Sequence, residues 1–172
     1  MSRLIISYAK NGREAYEDAI LRAKNAIKET NPNLEICILI DDLPKGVPKH
    51  KETPYAFKPF LFKKAFEQGY KQVIWIDSTI VTVKDLQPMF DYMAQHGVLS
   101  FHNLGHPLKN WISDVACENL KLTENELENV EQIMACVVGF DITTKTGKNV
   151  FEKWYKEAKK GESFKNNTSK RK

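Results

Sequence analysis

The chain alternates short apolar runs with longer segments in which apolar residues recur at helical spacing. The apolar runs predict strands at residues 3–9, 34–40, 72–77, 98–101 and 133–142. The segments with helical spacing predict helices at residues 12–30, 59–68, 88–96, 123–130 and 147–160. Residues 43–54 contain three prolines and one glycine and predict a loop.

Capping signals support several of these helices. Pro59 is suited to the first position of a helix, and Gly69 and Gly97 are suited to the positions that follow a helix. Thr123 and Glu126 have the spacing of a capping box, in which each residue satisfies a backbone N–H of the other. The ends of these helices are therefore predicted more sharply than periodicity alone allows.

The alternation of strands and helices predicts a single α/β domain with a largely parallel sheet covered by helices. In such sheets, ligands bind at the carboxyl ends of the strands, near the point where the strand order reverses. We therefore expect the polar residues at the ends of the first three strands to share one rim. These residues are Ser7, Tyr8, Asp41, Asp42, Asp77, Ser78 and Thr79. Gly139 interrupts the last strand, which predicts either a close backbone approach or a β-bulge.

Length and composition are those of an ordinary soluble globular protein. The chain has 172 residues, of which 42% are hydrophobic and 28% charged. No apolar run approaches the roughly 20 residues that cross a bilayer, and the first residues do not have the pattern of a secretory signal. We therefore expect a cytoplasmic protein without a transmembrane segment. The three cysteines do not have the spacing of metal ligands.

The net charge of +4 is carried by the last eight residues. Lys165, Lys170, Arg171 and Lys172 lie in this segment without an acidic residue, so the rest of the chain has 22 bases and 22 acids. Residues 1–164 therefore have no net charge, which argues against nucleic-acid binding. We expect a domain over residues 1–164 and a flexible basic tail over residues 165–172, with an anion-binding or membrane-surface arm as the alternative.

Asp77 follows the apolar run Val73-Ile74-Trp75-Ile76, which makes it the most informative polar residue of the rim. A carboxylate that is half-buried at a strand end needs a cation or hydrogen-bond donors to remain charged. A divalent cation bound to a nucleotide diphosphate would meet that need, since such cations prefer oxygen ligands. The alternative is an aspartate that caps the turn after the strand.

Two long blocks of the chain resemble small nucleotide-sugar glycosyltransferases of the GT-A type. The first is "YAFKPFLFKKAFEQGYKQVIWIDSTIVTVKDLQPMFDYM", in which a helix with lysines and a "GY" step precede an apolar strand and an Asp-x-Asp-like motif. The second runs from "NWISD" through "VVGFD" to "FEKWYKEA". The order and spacing of these motifs carry the resemblance, which covers nearly the whole chain.

The resemblance implies a Rossmann-like GT-A domain that transfers a hexosyl or deoxyhexosyl group from a UDP- or GDP-linked sugar. Ser7, Tyr8 and Asp41 would hold the base and ribose. Asp77 and Thr79 would hold Mn²⁺ or Mg²⁺ with the diphosphate, and the metal would stabilise the leaving nucleotide diphosphate as a Lewis acid.

Neighbouring residues add to the expected donor site. The Ser78 hydroxyl is suited to hydrogen-bond ribose or water. The Lys58 ammonium could pair with donor phosphate, or it could be a solvated charge as at least one of the lysines of this helix is expected to be. The motif reads Asp77-Ser78-Thr79, so a threonine stands where the family has its second carboxylate. Relatives also continue past the "GESF" region into a His/Asp-containing segment near the donor phosphates, and "KNNTSKRK" stands there in this sequence.

The acceptor side is predicted from the segment after the fourth strand. Trp111 could stack on a sugar or be a core anchor, and Asp114 could be a general base or a helix N-cap. Asp141 is a second candidate base or sugar-binding carboxylate. His102 is expected in a polar loop, which would either line the sugar pocket or lie on the surface.

Three functions are compatible with these residues. The first is metal-assisted glycosyl transfer to a glycan or another hydroxyl acceptor. The second is a nucleotide-sugar-binding module with weak or no catalysis, which the variant motif favours. The third is nucleotidyl transfer. That function would require a glycine-rich, basic phosphate loop after the first strand, but "AKNGRE" supplies only one glycine and one arginine there.

Overall fold

The computed structural model describes residues 1–10 and 14–165, and within them the chain forms an α/β fold. The strands are β1 (Arg3–Ala9), β2 (Glu35–Ile40), β3 (Gln72–Ile76), β4 (Val98–Pro107) and β5 (Glu131–Asp141). The helices are α1 (Glu14–Thr30), α2 (Phe57–Glu67), α3 (Gln87–His96), α4 (Asp114–Leu120), α5 (Glu124–Asn129) and α6 (Lys145–Lys160). The predicted basic tail lies outside the described residues except for Lys165.

The five strands form one sheet in the order β2-β1-β3-β5-β4. β1 pairs in parallel with β2 and β3, whereas β5 pairs antiparallel with β3 and β4. Four strands therefore share one direction and β5 runs against them. The strand order reverses at β1, because the chain leaves it for β2 on one side and returns to β3 on the other. This arrangement places the expected binding crevice at the carboxyl ends of β1 and β3.

Alternation along the strands separates two apolar layers. In β3, Val73 and Trp75 pack on one face with α2 and α6 side chains, while Ile74 and Ile76 pack on the other. In β1, Leu4 and Ile6 share the face of Trp75, and Ile5 lies on the opposite face. Asp77 is two residues beyond Trp75, so its side chain continues the face on which α2 packs.

The main elements confirm the predicted fold class, and the differences are the additional short helix α4 and the ends of the other elements. Thr123 and Glu126 form the predicted capping box, and Gly97 ends α3 in the left-handed conformation. Pro59 is the third residue of α2 rather than the first. β4 extends to Pro107 through two irregularities, past the predicted end at residue 101. Within the described part of the chain, no helix combines the length and apolar character needed to span a bilayer.

Gly139 marks a close approach rather than a bulge. β3 and β5 pair without a register shift from Gln72 and Asp141 to Ile76 and Val137. A Cβ on Gly139 would lie 2.5 Å from the Met93 sulfur and 3.2 Å from the Val73 carbonyl oxygen. The glycine therefore allows α3 to pack directly on the sheet.

Candidate active site

A partly buried ion pair lies at the carboxyl end of β3. The Lys58 ammonium donates to Asp77 Oδ1 at 2.8 Å and to the Ala135 carbonyl at 2.7 Å. The Trp75 indole N–H donates to the same carboxylate oxygen at 2.5 Å. The backbone N–H of Asp77 donates to the Cys136 carbonyl of β5 at 2.8 Å. Asp77 is therefore held by α2, β3 and β5 together.

Lys58 is the buried partner of this pair, with its side chain 4% exposed against 38% for Asp77. Burial lowers the pKa of Lys58, and the Asp77 carboxylate acts in the opposite direction. The ammonium also lies 4.8 Å from the centre of the Trp75 ring, where a cation is attracted by the ring face. The site thus keeps a positive charge inside the protein beside a carboxylate that solvent can reach.

An open cleft of about 910 Å³ begins at this ion pair. Lys58 and Asp77 lie on its lining together with Trp111, Ser113 and residues 132–136 of β5. Its volume is within the range of small-molecule sites, and its lining combines this charged pair with apolar and polar side chains. The cleft therefore has room for a ligand whose charged part would reach the Lys58–Asp77 pair.

The acceptor-side residues are only partly brought together. Trp111 is 54% exposed on the cleft, and its ring lies 5.4 Å from that of His106. It is therefore a surface platform and not a core anchor. Asp114 is the first residue of α4 and is half-buried, while Ser113 is the N-cap and accepts from the Ala116 N–H. His102 is exposed on β4 with its Nδ1 3.8 Å from Glu131, and it is not among the residues that line the cleft.

The predicted base and ribose residues lie at the ends of β1 and β2. The Tyr8 hydroxyl donates to the Asp41 carbonyl at 3.2 Å, and its ring packs on Phe57, which also contacts Trp75. Burial and then the carboxylates of Asp41 and Asp42 raise the pKa of Tyr8. Tyr8 and Asp41 thus adjoin the ion pair through Phe57.

Ser7 faces away from this arrangement. It is 1% exposed in β1 and shares the alternation of Ile5, which packs on the opposite layer from Tyr8 and Trp75. Its hydroxyl has no hydrogen-bond partner among the described residues. The structure therefore does not bring Ser7 to the cleft.

The residues after Asp77 do not supply the set of ligands that a divalent cation prefers. Ser78 is buried and Thr79 is exposed, and neither adds a carboxylate. In the described part of the chain, no three His, Cys, Asp or Glu side chains are grouped so that they could hold one metal ion. Asp77 Oδ1 already accepts from two donors, of which one is a cation. Mg²⁺ and Mn²⁺ favour several oxygen ligands, so these residues do not fit either ion.

The interpretation of Asp141 as a catalytic base requires correction. Because β5 runs antiparallel to β3, Asp141 pairs with Gln72 at the start of β3, at the edge of the sheet opposite Asp77. It is 1% exposed and accepts from the Gln72 amide at 2.8 Å and from the Thr143 backbone N–H at 2.9 Å. Asp141 therefore fixes the turn between β5 and α6 and does not reach the cleft.

Three contributors to the site were not predicted from the sequence. The Trp75 indole could have been anticipated, because residues two apart in a strand share a face. The Ala135 carbonyl carries no sequence signal, since any residue provides a carbonyl. Tyr55 lines the cleft, has φ 61° and places its ring centre 5.9 Å from the Lys58 ammonium. Positive φ is uncommon for an aromatic residue, and such conformations concentrate at functional sites.

Solved glycosyltransferases share this architecture. A glycosyltransferase involved in glycosylation of the major capsid of PBCV-1 has a TM-score of 0.55 at 12% identity, over 92% of this chain and 66% of its own. The galactosyltransferase LgtC, solved with donor and acceptor sugar analogues, has a TM-score of 0.51 at 12% identity, over 91% of this chain and 65% of its own. GlyE of Streptococcus pneumoniae TIGR4 has a TM-score of 0.50 at 15% identity, over 98% of this chain and 45% of its own.

These likenesses confirm the predicted GT-A fold. No family model and no curated protein sequence matches the chain. The chain spans no more than about two thirds of the length of the structures that it resembles. At such low identity the likeness concerns the fold, and the function is argued from the site itself.

Proposed function

We propose that this protein is a glycosyltransferase that binds a nucleotide-diphosphate sugar in the cleft beside Lys58 and Asp77. The observation that carries the proposal is the position of this ion pair at the carboxyl end of β3, where the strand order reverses in a GT-A fold. The 910 Å³ cleft leads away from the pair toward an exposed tryptophan. A UDP- or GDP-linked hexose or deoxyhexose has the charge and the size for this arrangement.

Charge and shape suggest how the donor would lie. The diphosphate would approach the Lys58 ammonium, which lies 4.8 Å from the Trp75 ring and 5.9 Å from the Tyr55 ring. The nucleoside would extend toward Tyr8 and Asp41, which adjoin the pair through Phe57. The sugar would lie nearer β5 and Trp111, whose exposed ring offers a stacking face to a glycan or another hydroxyl acceptor.

Transfer would break the bond between the anomeric carbon and the diphosphate oxygen, with the electron pair leaving on the diphosphate. The acceptor oxygen would form the new bond, and its proton would pass to a base. Asp114 remains the candidate for that base: it is not itself among the residues that line the cleft, but it begins α4 immediately after Ser113, which is.

A nucleotide-sugar-binding module is the second candidate. Its support is the same ion pair, because Asp77 is engaged by Lys58 and Thr79 stands where a second carboxylate is expected. Such a site would bind the donor without activating it. Nucleotide release distinguishes the two candidates.

The test is to incubate the protein with UDP- and GDP-linked sugars, with and without Mn²⁺ or Mg²⁺, and to measure both binding and release of free UDP or GDP. We expect one donor to bind and to be hydrolysed or transferred, and the Trp111→Ala variant to lose transfer more than binding. Binding without release would support the module. If none of the nucleotide sugars binds, both proposals are wrong.

A further inference from the structure

The Lys58 ammonium occupies the place at the end of β3 where the GT-A resemblance predicts a metal ion. It lies 2.8 Å from the carboxylate of the Asp-x-Asp-like motif and 2.7 Å from a β5 carbonyl. We propose that Lys58 binds the donor diphosphate directly, so that this chain binds its nucleotide donor without a divalent cation. The inference rests on the proposed function and specifies how that site recognises phosphate.

The charges at the site favour this assignment. Two carboxylates with one divalent cation are neutral together, and Asp77 with Lys58 is neutral as well. A divalent cation added to the pair would share one carboxylate with an ammonium and would be repelled by it. The threonine at position 79 is consistent with the same balance, since a second carboxylate there would leave the site with excess negative charge.

The hydrogen bonds of Lys58 leave capacity for a ligand. An ammonium has three N–H donors, and Asp77 and Ala135 accept two of them. The side chain is 4% exposed and yet lies on the cleft lining. The position of its ammonium is therefore fixed by the surrounding protein, unlike that of a lysine on the open surface. Asp77 acts in this arrangement as a positioning residue, because it holds the ammonium while Trp75 and the Cys136 carbonyl hold Asp77.

The first experiment uses the unaltered protein and calorimetric titration with UDP and with GDP. We expect the Kd in EDTA to equal the Kd in Mn²⁺ or Mg²⁺ within about twofold, less than 0.5 kcal/mol. A nucleotide that binds in Mn²⁺ and loses about tenfold or more in affinity in EDTA would overturn the inference. This comparison needs no variant and therefore does not depend on how a mutation affects folding.

The second experiment compares two lysines of the same helix. Lys58→Met keeps the length of the side chain and removes its charge, and we expect at least about tenfold weaker UDP or GDP binding in EDTA. Lys63→Met is the matched control, because Lys63 is partly exposed and pairs with Glu67 at 2.9 Å. Circular dichroism and urea unfolding establish that the variants are folded. Equal binding by the folded Lys58→Met variant would overturn the inference.

The Asp77→Asn variant best distinguishes direct binding of the diphosphate by Lys58 from binding through a metal ion held by Asp77. If Lys58 binds the diphosphate without a metal, any change in Kd caused by Asp77→Asn is the same in EDTA as in Mn²⁺, because the asparagine oxygen can still accept from the ammonium. If Asp77 recruits a metal, the same change abolishes metal-dependent binding. Metal-dependent binding that is lost in Asp77→Asn would disprove the inference while supporting the proposed function. If the unaltered protein binds no nucleotide sugar, UDP or GDP under any condition, the proposed function itself fails.

Discussion

Two aspartates lie next to apolar strands in this chain, and their surroundings predict opposite effects of mutation. Asp77 is partly exposed beside the cleft, whereas Asp141 is buried and accepts from Gln72 and Thr143. We expect Asp141→Ala to lower the free energy of unfolding by about 3 kcal/mol, because the buried Gln72 amide and the backbone N–H and hydroxyl of Thr143 lose their acceptor. Nucleotide binding by the folded fraction should be unchanged.

Urea unfolding and nucleotide titration test this contrast. Asp141→Asn is the matched control, since its amide oxygen can still accept and the loss should be smaller. Weaker nucleotide binding by Asp141→Ala at unchanged stability would show that Asp141 belongs to the site after all.

The buried ammonium of Lys58 makes stability depend on pH. Because burial lowers its pKa in the folded protein below the ordinary 10.5, the folded chain releases this proton at lower pH than the unfolded chain does. The unfolded chain then binds more protons between those two values, so the free energy of unfolding rises with pH in that window. Lys58→Met removes this contribution.

We therefore expect the stability of the unaltered protein, relative to Lys58→Met, to increase as the pH rises through the window that ends at 10.5. Urea unfolding of both proteins across this range measures the difference in the free energy of unfolding. The contributions of titratable groups that both proteins share cancel in this difference. A difference that is constant or falls with rising pH would contradict the assigned direction of the pKa shift.

At the scale of elements, the contact between α6 and the end of β5 depends on a glycine. A Cβ on Gly147 would lie 2.1 Å from the Asp141 carbonyl oxygen and 2.5 Å from that of Gly97. The closest neighbour of a Cβ at Gly139 is instead the flexible end of Met93, at 2.5 Å. We expect Gly147→Ala to lower the free energy of unfolding by about 3 kcal/mol and Gly139→Ala by about 1–2 kcal/mol.

Chemical denaturation measures the free energy of unfolding of these variants. Lys148→Ala, at an exposed position of the same helix, is the control for the effect of an alanine on the helix. The backbone carbonyls beside Gly147 cannot move away from an added methyl group as readily as the thioether beside Gly139 can. A Gly147→Ala variant as stable as Lys148→Ala would show that α6 can shift away from the sheet.

The helices and strands were largely predictable because their signals are local. Alternation in Val73–Ile76, the capping box at Thr123 and the glycine after α3 each depend on neighbouring residues. The direction of β5 was not predictable, since an apolar run reads the same in both directions. For that reason Asp77 was correctly placed at a strand end on the cleft, and Asp141 was expected in a site that it does not reach.

At the scale of the whole molecule, the site depends on contacts between distant parts of the chain. Lys58 and Asp77 are 19 residues apart, and Ala135 is 77 residues from Lys58. Each residue type suggested phosphate or metal chemistry, but pairing of the lysine with the carboxylate follows from how α2 packs on the sheet. The sequence therefore predicted the place of the candidate site better than its chemistry.

The distribution of charge over the whole chain gives a last prediction. Removing residues 166–172 deletes Lys170, Arg171 and Lys172 and lowers the net charge from +4 to +1, while Lys165 on the cleft lining is kept. We expect much weaker retention on a cation-exchange resin, because residues 1–164 have equal numbers of acids and bases. We expect UDP or GDP binding to be unchanged, because the residues that line the cleft are kept. A full-length variant with these three residues changed to glutamine separates charge from length and should behave as the shortened chain does. Equal retention of all three proteins would instead locate a basic surface within the folded body.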